Sequence, residues 1–336
     1  MKMTRVLLAA VLLLTGFASA QIFSVTDLGP NVFPDGVNDR GQVAAMRSGV
    51  PGGSLWSKQG GFKDLIPLPG FPLSFTQGIN NRGDVVGYSE EEEAMSFHAT
   101  LWPHSDGAAV DLGPSVIDNT AANAINDARQ VTGNLGCCKS FVWTTRTGMV
   151  DIGPPPAGFT FYEANAISEN GTVVGSMGND TSGTSFFWTK ATGIKEIPIP
   201  SSFATGINRG FVIGASSCLN PSLCDVNNLR GFIWHRHFGA IDLGTLPGDN
   251  SIFPSSINSS LQIVGSSQNN ATGDSTAFLW TPRHKMINLN DLIQAPGWVL
   301  NFATGLNDCA QIVGYGTLNG GLHGFLLTVI PRRKHH

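Results

Sequence analysis

The residues of this chain that are equipped to do chemistry sit in segments of very uneven length. Four consecutive carboxylates run from Glu90 through Glu91 and Glu92 to Glu93, and Asp180, Asp225, Asp249 and Asp274 each lie among Asn, Gly, Ser and Thr. Oxygen-rich loops of that kind can supply ligands to Ca²⁺, but none follows the D-x-[DN]-x-[DN]-G spacing or the G-G-x-G-x-D repeat. Calcium therefore rests on composition, and turn formation by the same side chains is the alternative. The glutamate run offers either a cation site or a solvated edge. His98 and Arg230 stand at loop borders, where an imidazole could move a proton and a guanidinium could hold an anion, yet the sequence sets no companion beside either. No G-x-S-x-G turn, H-E-x-x-H helix or phosphate-binding glycine loop occurs, so no catalytic residue is assigned and no metal site is expected.

Five cysteines are present. Cys218 and Cys224 bracket LNPSL, which predicts a local disulfide across a loop. The adjacent Cys137 and Cys138 permit a vicinal bond or pairing elsewhere, and Cys309, inside a tight turn, is expected to be free and packed. Neither C-x-x-C spacing nor a neighbouring His pair accompanies them, which argues against zinc.

The compartment is read from the first 20 residues. Lys2 and Arg5 precede an apolar run from Val6 to Leu14 and a small-residue ending, Ala18-Ser19-Ala20, the pattern of a cleaved secretory signal. No later segment offers the roughly 18 uninterrupted apolar residues of a membrane helix, so the mature chain is expected to be exported, extracellular or periplasmic, without membrane insertion. Losing Lys2 and Arg5 takes the formal charge from -4 to -6. That acidity argues against nucleic acid as a partner. The tail Arg332 to His336 reads as a disordered basic end.

The elements that must position the loops are repeats. GINNRGDVVGYS, starting at Gly78, recurs with variations at Gly36, Ala124, Ala166, Gly206, Ser256 and Gly305. Aligned on Asn38, Asn80, Asn126, Ser168, Asn208, Asn258 and Asn307, the copies are 40 to 50 residues apart, the period of a propeller or solenoid. Each unit reads as four strands. The first carries Phe five positions before the Asn at Phe33, Phe75, Phe203, Phe253 and Phe302, with Ala121 and Glu163 as exceptions. A small residue then marks a crowded place where backbones converge. An Asn- and Gly-rich tight turn leads to a second strand ending in Val-Val-Gly or a relative. The third strand ends in tryptophan at Trp56, Trp102, Trp143, Trp188, Trp234 and Trp280, placed to pack between units. The fourth ends in Asp-Leu-Gly or a relative, as at Asp111-Leu112-Gly113.

The mature sequence begins on such a fourth strand, Phe23 to Gly29, and its last unit stops after a third, Gly324 to Leu327. A ring needs that one-plus-three arrangement to remove its open edges. The fold is therefore expected to be an all-β, seven-bladed β-propeller of residues 21–330, its N-terminal strand closing the last blade; a six-bladed ring or a β-solenoid is the alternative.

With the repeat laid out as DLG, a small residue and IN, a Gly-rich turn and VVG, then HATLW from His98's segment or AFLW from Ala277, the chain resembles the bacterial extracellular repeat proteins called the HAF family. The resemblance spans nearly all of residues 23–328 and implies export and a propeller-like array. The His of the family's name is kept as His98 and His323; Gly52, Lys139, Thr184, Arg230 and Thr276 stand at the other positions, so no ring of His ligands is implied.

In a four-stranded meander the turns from first to second and third to fourth strand share one face, and these are mostly short. The second-to-third and fourth-to-first loops share the other, and they vary widely, as in the 15 residues from Ser216 to Arg230. Variable loops on a rigid scaffold are where binding is built. The expected function is an exported, monomeric, non-enzymatic module that binds a protein or glycan through this loop face. A secreted glycan-active hydrolase or lyase, or a structural surface component, are the alternatives.

Overall fold

The computed structural model describes residues 22–91, 96–104, 108–113, 119–136, 138–219 and 224–331. The expected signal segment, Glu92, Glu93, Cys137 and the basic tail lie outside the described residues.

The strands assemble into seven four-stranded antiparallel sheets, each a meander read outward from the axis. Blade 2 is typical, with strands Leu73–Ile79, Val85–Glu91, Ser96–Trp102 and Val110–Asp111. Blade 1 begins at Val32, blades 3 to 6 at Thr120, Phe161, Ser202 and Ser251. Blade 7 is composite: Trp298–Leu306, Ile312–Leu318 and Gly321–Val329 come from the C-terminal end, and Phe23–Pro30 adds the outer strand, pairing from Phe23 with Val329 to Pro30 with His323. Phe23 is fully buried there, against Leu289, Leu300 and Leu327. The ring is closed as the sequence predicted.

The repeat's spacing has a local cause. The innermost strand of every blade is bulged one residue before the small position, between Pro34 and Gly36 in blade 1 and Thr76 and Gly78 in blade 2. The bulge drives a carbonyl toward the second strand. A Cβ on Gly87 would lie 1.8 Å from the Phe75 carbonyl oxygen, and one on Gly314 1.9 Å from that of Phe302, so the glycine of Val-Val-Gly is required by backbone approach. The small residue answers a second approach: a Cβ on Gly305 would come within 3.1 Å of Gly36 Cα across the blade 7 and blade 1 boundary.

Between blades the packing is apolar. Phe141, Phe186, Phe232, Phe278 and Phe325 of the third strands are fully buried, each contributing about 2–3 kcal/mol. The tryptophans sit in clusters that span neighbours, as Trp143 with Val86 and Leu101 of blade 2, and Trp280 with Ile213 of blade 5. They are packing residues, as expected from their register.

The Asn of the motif does more than form its turn. Asn38 Oδ1 accepts the backbone N–H groups of Arg40 and Gln42, which caps the turn, while its Nδ2 donates across to the Asn80 carbonyl at 3.0 Å. Asn80 reaches Asn126 at 3.1 Å, Asn126 reaches Ser168 at 3.0 Å, Asn258 reaches Asn307 at 3.1 Å and Asn307 reaches Asn38 at 2.8 Å. Ser168 has no amide to reach onward, and the shortened turn of blade 5 sends Asn208 to the Ile257 carbonyl at 3.4 Å. A belt of amides thus encircles the axis near the face of the short turns. Its second row is acidic: Asp39, Asp127, Glu169 and Asp308 accept backbone N–H groups from the preceding blade, and burial together with the charges of Asp127 and Asp308 raises the Glu169 carboxyl.

Candidate functional site

The loop face was the expected location, and its residues fall into three arrangements. The first is a row of ion pairs at the start of the third strands. His98 Nδ1 lies 2.9 Å from Asp111 Oδ2, His323 Nδ1 2.9 Å from Asp27 Oδ1, Arg230 Nη2 2.5 Å from Asp242 Oδ2 and Lys139 Nζ 3.5 Å from Asp151 Oδ2. Arg47 serves Asp64 in blade 1, where Gly52 stands at the His position. The antiparallel register sets each partner diagonally across from its Asp. The same carboxylates accept the N–H of the glycine two residues on, at Gly29, Gly113, Gly153 and Gly244. The Asp of Asp-Leu-Gly is therefore a turn former and charge partner. His98 and Arg230, expected as candidate loop-face ligands, are engaged within their own blades, each pair being partly exposed and worth less than about 1 kcal/mol.

The second arrangement is a side pocket between the second-to-third loop of blade 5 and the connection that leads from blade 5 to blade 6. A cavity of about 760 Å³ is lined by Asp225, Asn228, Arg230, Asp242, Thr245 and Asp249, with Leu219 and Ala240 as apolar patches. Cys218 and Cys224 are disulfide-bonded beside it, as their spacing predicted. Hydrogen bonds from the Asn228 side chain and the Asn227 N–H hold the Asp225 carboxyl below the usual carboxylate range. The Asn270 amide bridges the two blades, donating to the Asn227 carbonyl at 2.6 Å and to Ser251 Oγ at 2.7 Å. Three residues chosen from sequence, Asp225, Arg230 and Asp249, meet here. The others are apart: Asp180 is exposed on a bend of blade 4, and Asp274 is exposed in blade 6, accepting from Thr272 Oγ1 at 2.7 Å. Among the described residues no three His, Cys, Asp or Glu side chains converge as metal ligands. Cys309 carries a free thiol that is exposed rather than packed, because it sits in a solvent-facing turn of the short-turn face, where its Sγ lies 3.7 Å from the Asp39 carbonyl.

The third arrangement lies on the axis. Phe302 stacks on Tyr315 at 4.8 Å, Tyr315 meets Phe33 of blade 1 at 5.4 Å, and Phe33 is the register partner of Met46. Met46 Sδ accepts from Thr76 N beside Phe75, Phe75 stacks on Tyr88 at 4.8 Å, and Tyr88 meets Phe97 at 5.6 Å. These half-buried side chains form a continuous arc over blades 7, 1 and 2. Beneath it sits Asp35, the bulge residue of blade 1. Asn123, Asn165, Thr205 and Thr304 hold the equivalent positions in blades 3, 4, 5 and 7, and each donates to a carbonyl of the next blade at 2.7 to 2.9 Å. A carboxylate cannot donate; Asp35 instead accepts from Thr76 Oγ1 at 2.5 Å. Burial pushes its pKa up to about 7 despite that bond, and Tyr88 is raised by burial and by the charges of Glu90 and Asp35. Glu90 is half-buried two residues beyond Tyr88 on the same face, and Glu91 ends that strand.

Sequence reasoning missed this arc. In the repeat pattern Phe33, Phe75 and Phe302 mark the first strand, and Tyr88 and Tyr315 follow the second-strand glycine in only two of the seven copies. The available signal was Asp35, the one acid in a column otherwise filled by Gln77, Asn123, Asn165, Thr205, Ser255 and Thr304.

Solved propellers share this fold. A streptogramin B lyase superposes with a TM-score of 0.58 at 12% identity, over 93% of this chain and 100% of that one. A virginiamycin B lyase from Staphylococcus aureus gives 0.56 at 14%, over 92% and 100%. The β-propeller domain of the Trilobed protease from Pyrococcus furiosus gives 0.53 at 8%, over 88% and 95%. At such identities the likeness is one of fold. No protein-family model matches the chain, and no curated protein matches it in sequence.

Proposed function

We propose that this protein is an exported binding propeller that recognises a glycan in the side pocket between blades 5 and 6. The observation that carries the reading is the composition of that cavity: carboxylates, amides, two hydroxyls and a guanidinium converge over a small apolar patch. Sugar hydroxyls donate and accept at once, and planar Asp, Asn and Arg groups meet both needs. The adjoining disulfide fixes one wall and fits an oxidising compartment. The signal-like N-terminus and the resemblance to HAF repeats support export. The test is a glycan array with the mature chain, with and without Ca²⁺, beside a variant that removes two lining side chains, Asp249→Ala with Asn250→Ala. Binding that disappears in the variant supports the reading; an array blank in both conditions overturns it.

A second reading, a glycan-active hydrolase or lyase, has one observation in its favour: the Asp35 carboxyl, with its pKa near 7 on the axis, lies in the range of a general acid. Release of new reducing ends or unsaturated products from a bound glycan, abolished by Asp35→Asn, would establish it; a glycan recovered intact would remove it.

A further inference from the structure

We propose that the axial arc on the loop face is a second binding site, and that it takes an organic ammonium ion bearing an apolar or aromatic body. The geometry points to this through two features that coincide in one place. Six aromatic rings, Phe302, Tyr315, Phe33, Phe75, Tyr88 and Phe97, with the Met46 thioether between them, present a soft, curved wall contributed by three blades. Aromatic faces carry negative electrostatic potential and attract cations, more strongly where water is excluded. A thioether adds polarisable surface that adapts to ligand shape.

The second feature is the sign of the charge. Asp35 lies under the centre of the arc, bonded to Thr76 Oγ1, and Glu90 lies beside Tyr88. Glu163 of blade 4, exposed, holds the register that Phe33 holds in blade 1. Arg47, next to Met46 in sequence, is turned into its pair with Asp64 and over the Phe62 ring at 4.7 Å, and Arg40, five residues from Asp35, donates to the Arg82 carbonyl at 3.3 Å in the tight turn. An anion would meet carboxylates and ring faces, both repulsive. A neutral apolar ligand would leave Asp35 desolvated beneath it with one hydrogen bond. An ammonium on an apolar body satisfies the carboxylate and covers the rings together.

The site differs from the side pocket in residues and in chemistry, so either can fail alone. The experiment is isothermal titration calorimetry of the mature chain with benzyltrimethylammonium, benzyl alcohol and benzenesulfonate, which share a ring and differ in charge. The cation is expected to bind at least about tenfold more tightly than the alcohol, and the sulfonate not at all. Tyr315→Leu and Tyr88→Leu are each expected to weaken the cation by about fivefold or more, as is Asp35→Asn, with circular dichroism unchanged. Asp249→Ala in the side pocket should leave cation binding as it is. Equal affinity for cation and alcohol, no heat with the cation at millimolar concentration, or folded Tyr variants that bind as the wild type does would each overturn the proposal.

Discussion

Asn307 Nδ2 donates to the backbone carbonyl of Asn38 at 2.8 Å, joining residues 269 apart in sequence and closing the amide belt across the blade 7 and blade 1 boundary. The outer edge of blade 7 is closed by strand pairing; nearer the axis the same boundary is bridged by Asn307, together with the Thr304 hydroxyl on the Pro34 carbonyl and the Asp308 N–H on Asp39. The belt lacks a link at Ser168, whose hydroxyl turns back to Asn170 and Thr172.

Removing a link should therefore cost stability, and adding one should supply it. Asn307→Ala loses the turn cap and the inter-blade bond together, and about 2 kcal/mol is expected, since two buried groups are left unmet. Ser168→Asn restores the missing amide within reach of the Asn208 carbonyl and should gain up to about 1 kcal/mol. Urea unfolding of both variants checks this. An unchanged midpoint for Asn307→Ala would show that the belt is ornament.

Deleting residues 1–29 should be far more damaging than its length implies. It removes Phe23 and Leu28 from two buried clusters and leaves Gly321–Val329 as an unpaired edge. Burial alone is worth about 4–5 kcal/mol for the two side chains, and an open edge invites aggregation. A chain that stayed monomeric in size-exclusion chromatography, with the melting temperature of the full protein, would contradict closure.

The fold was legible because its constraints repeat. Seven bulges each need a small residue and, in six blades, a glycine, so register, strand order and closure are written in the sequence itself. The sites were not legible for the opposite reason. Asp225, Arg230 and Asp249 share a pocket because loops of blade 5 and the following connection fold toward each other, and no period carries that information. The pairing of His98 with Asp111 was within reach, since antiparallel register places the two residues diagonally, but only once the loop lengths between the strands are fixed. The acids at Asp180 and Asp274 have the same local composition as Asp225 and do not join it.

A buried charge makes the blade 2 and blade 3 contact sensitive to acid. Asp84 is wholly buried and accepts Arg129 Nε and Nη2 at 2.7 Å each, the His104 N–H at 3.0 Å and Asn80 Nδ2 at 3.1 Å. Burial would raise this carboxyl, but the Arg129, His104 and Asn80 bonds together outweigh it and the net shift is downward. A lowered value means that the pair's contribution is present above the ordinary 3.8 and is lost as pH falls through the folded value. Arg129→Ala strands the carboxylate and should cost about 3 kcal/mol at pH 7. Arg129→Lys, which cannot form the two-pronged contact, should recover only part of it. Melting curves at pH 7 decide the matter, and a loss below about 0.5 kcal/mol for Arg129→Ala would refute the assignment.

Asp35 predicts the opposite slope. Its folded value, raised from 3.8 to about 7, means that the protonated acid is the form the fold prefers. The corresponding stability is fully present below 3.8 and is lost as pH rises through about 7. Asn123 and Asn165 show what an amide does at this position: each donates to the next blade, at 2.8 and 2.9 Å. Asp35→Asn should then make the same bond toward the Thr76 carbonyl while still accepting from the Thr76 hydroxyl. The variant is expected to match the wild type near pH 4 and to exceed it by about 1–2 kcal/mol at pH 8, a figure discounted from the full shift because the side chain keeps contact with the axial space. Thermal melts at the two pH values test the difference between differences. A variant equally displaced from wild type at both would mean that Asp35 does not titrate in this window, and the carboxylate would have to be ionised on the axis throughout.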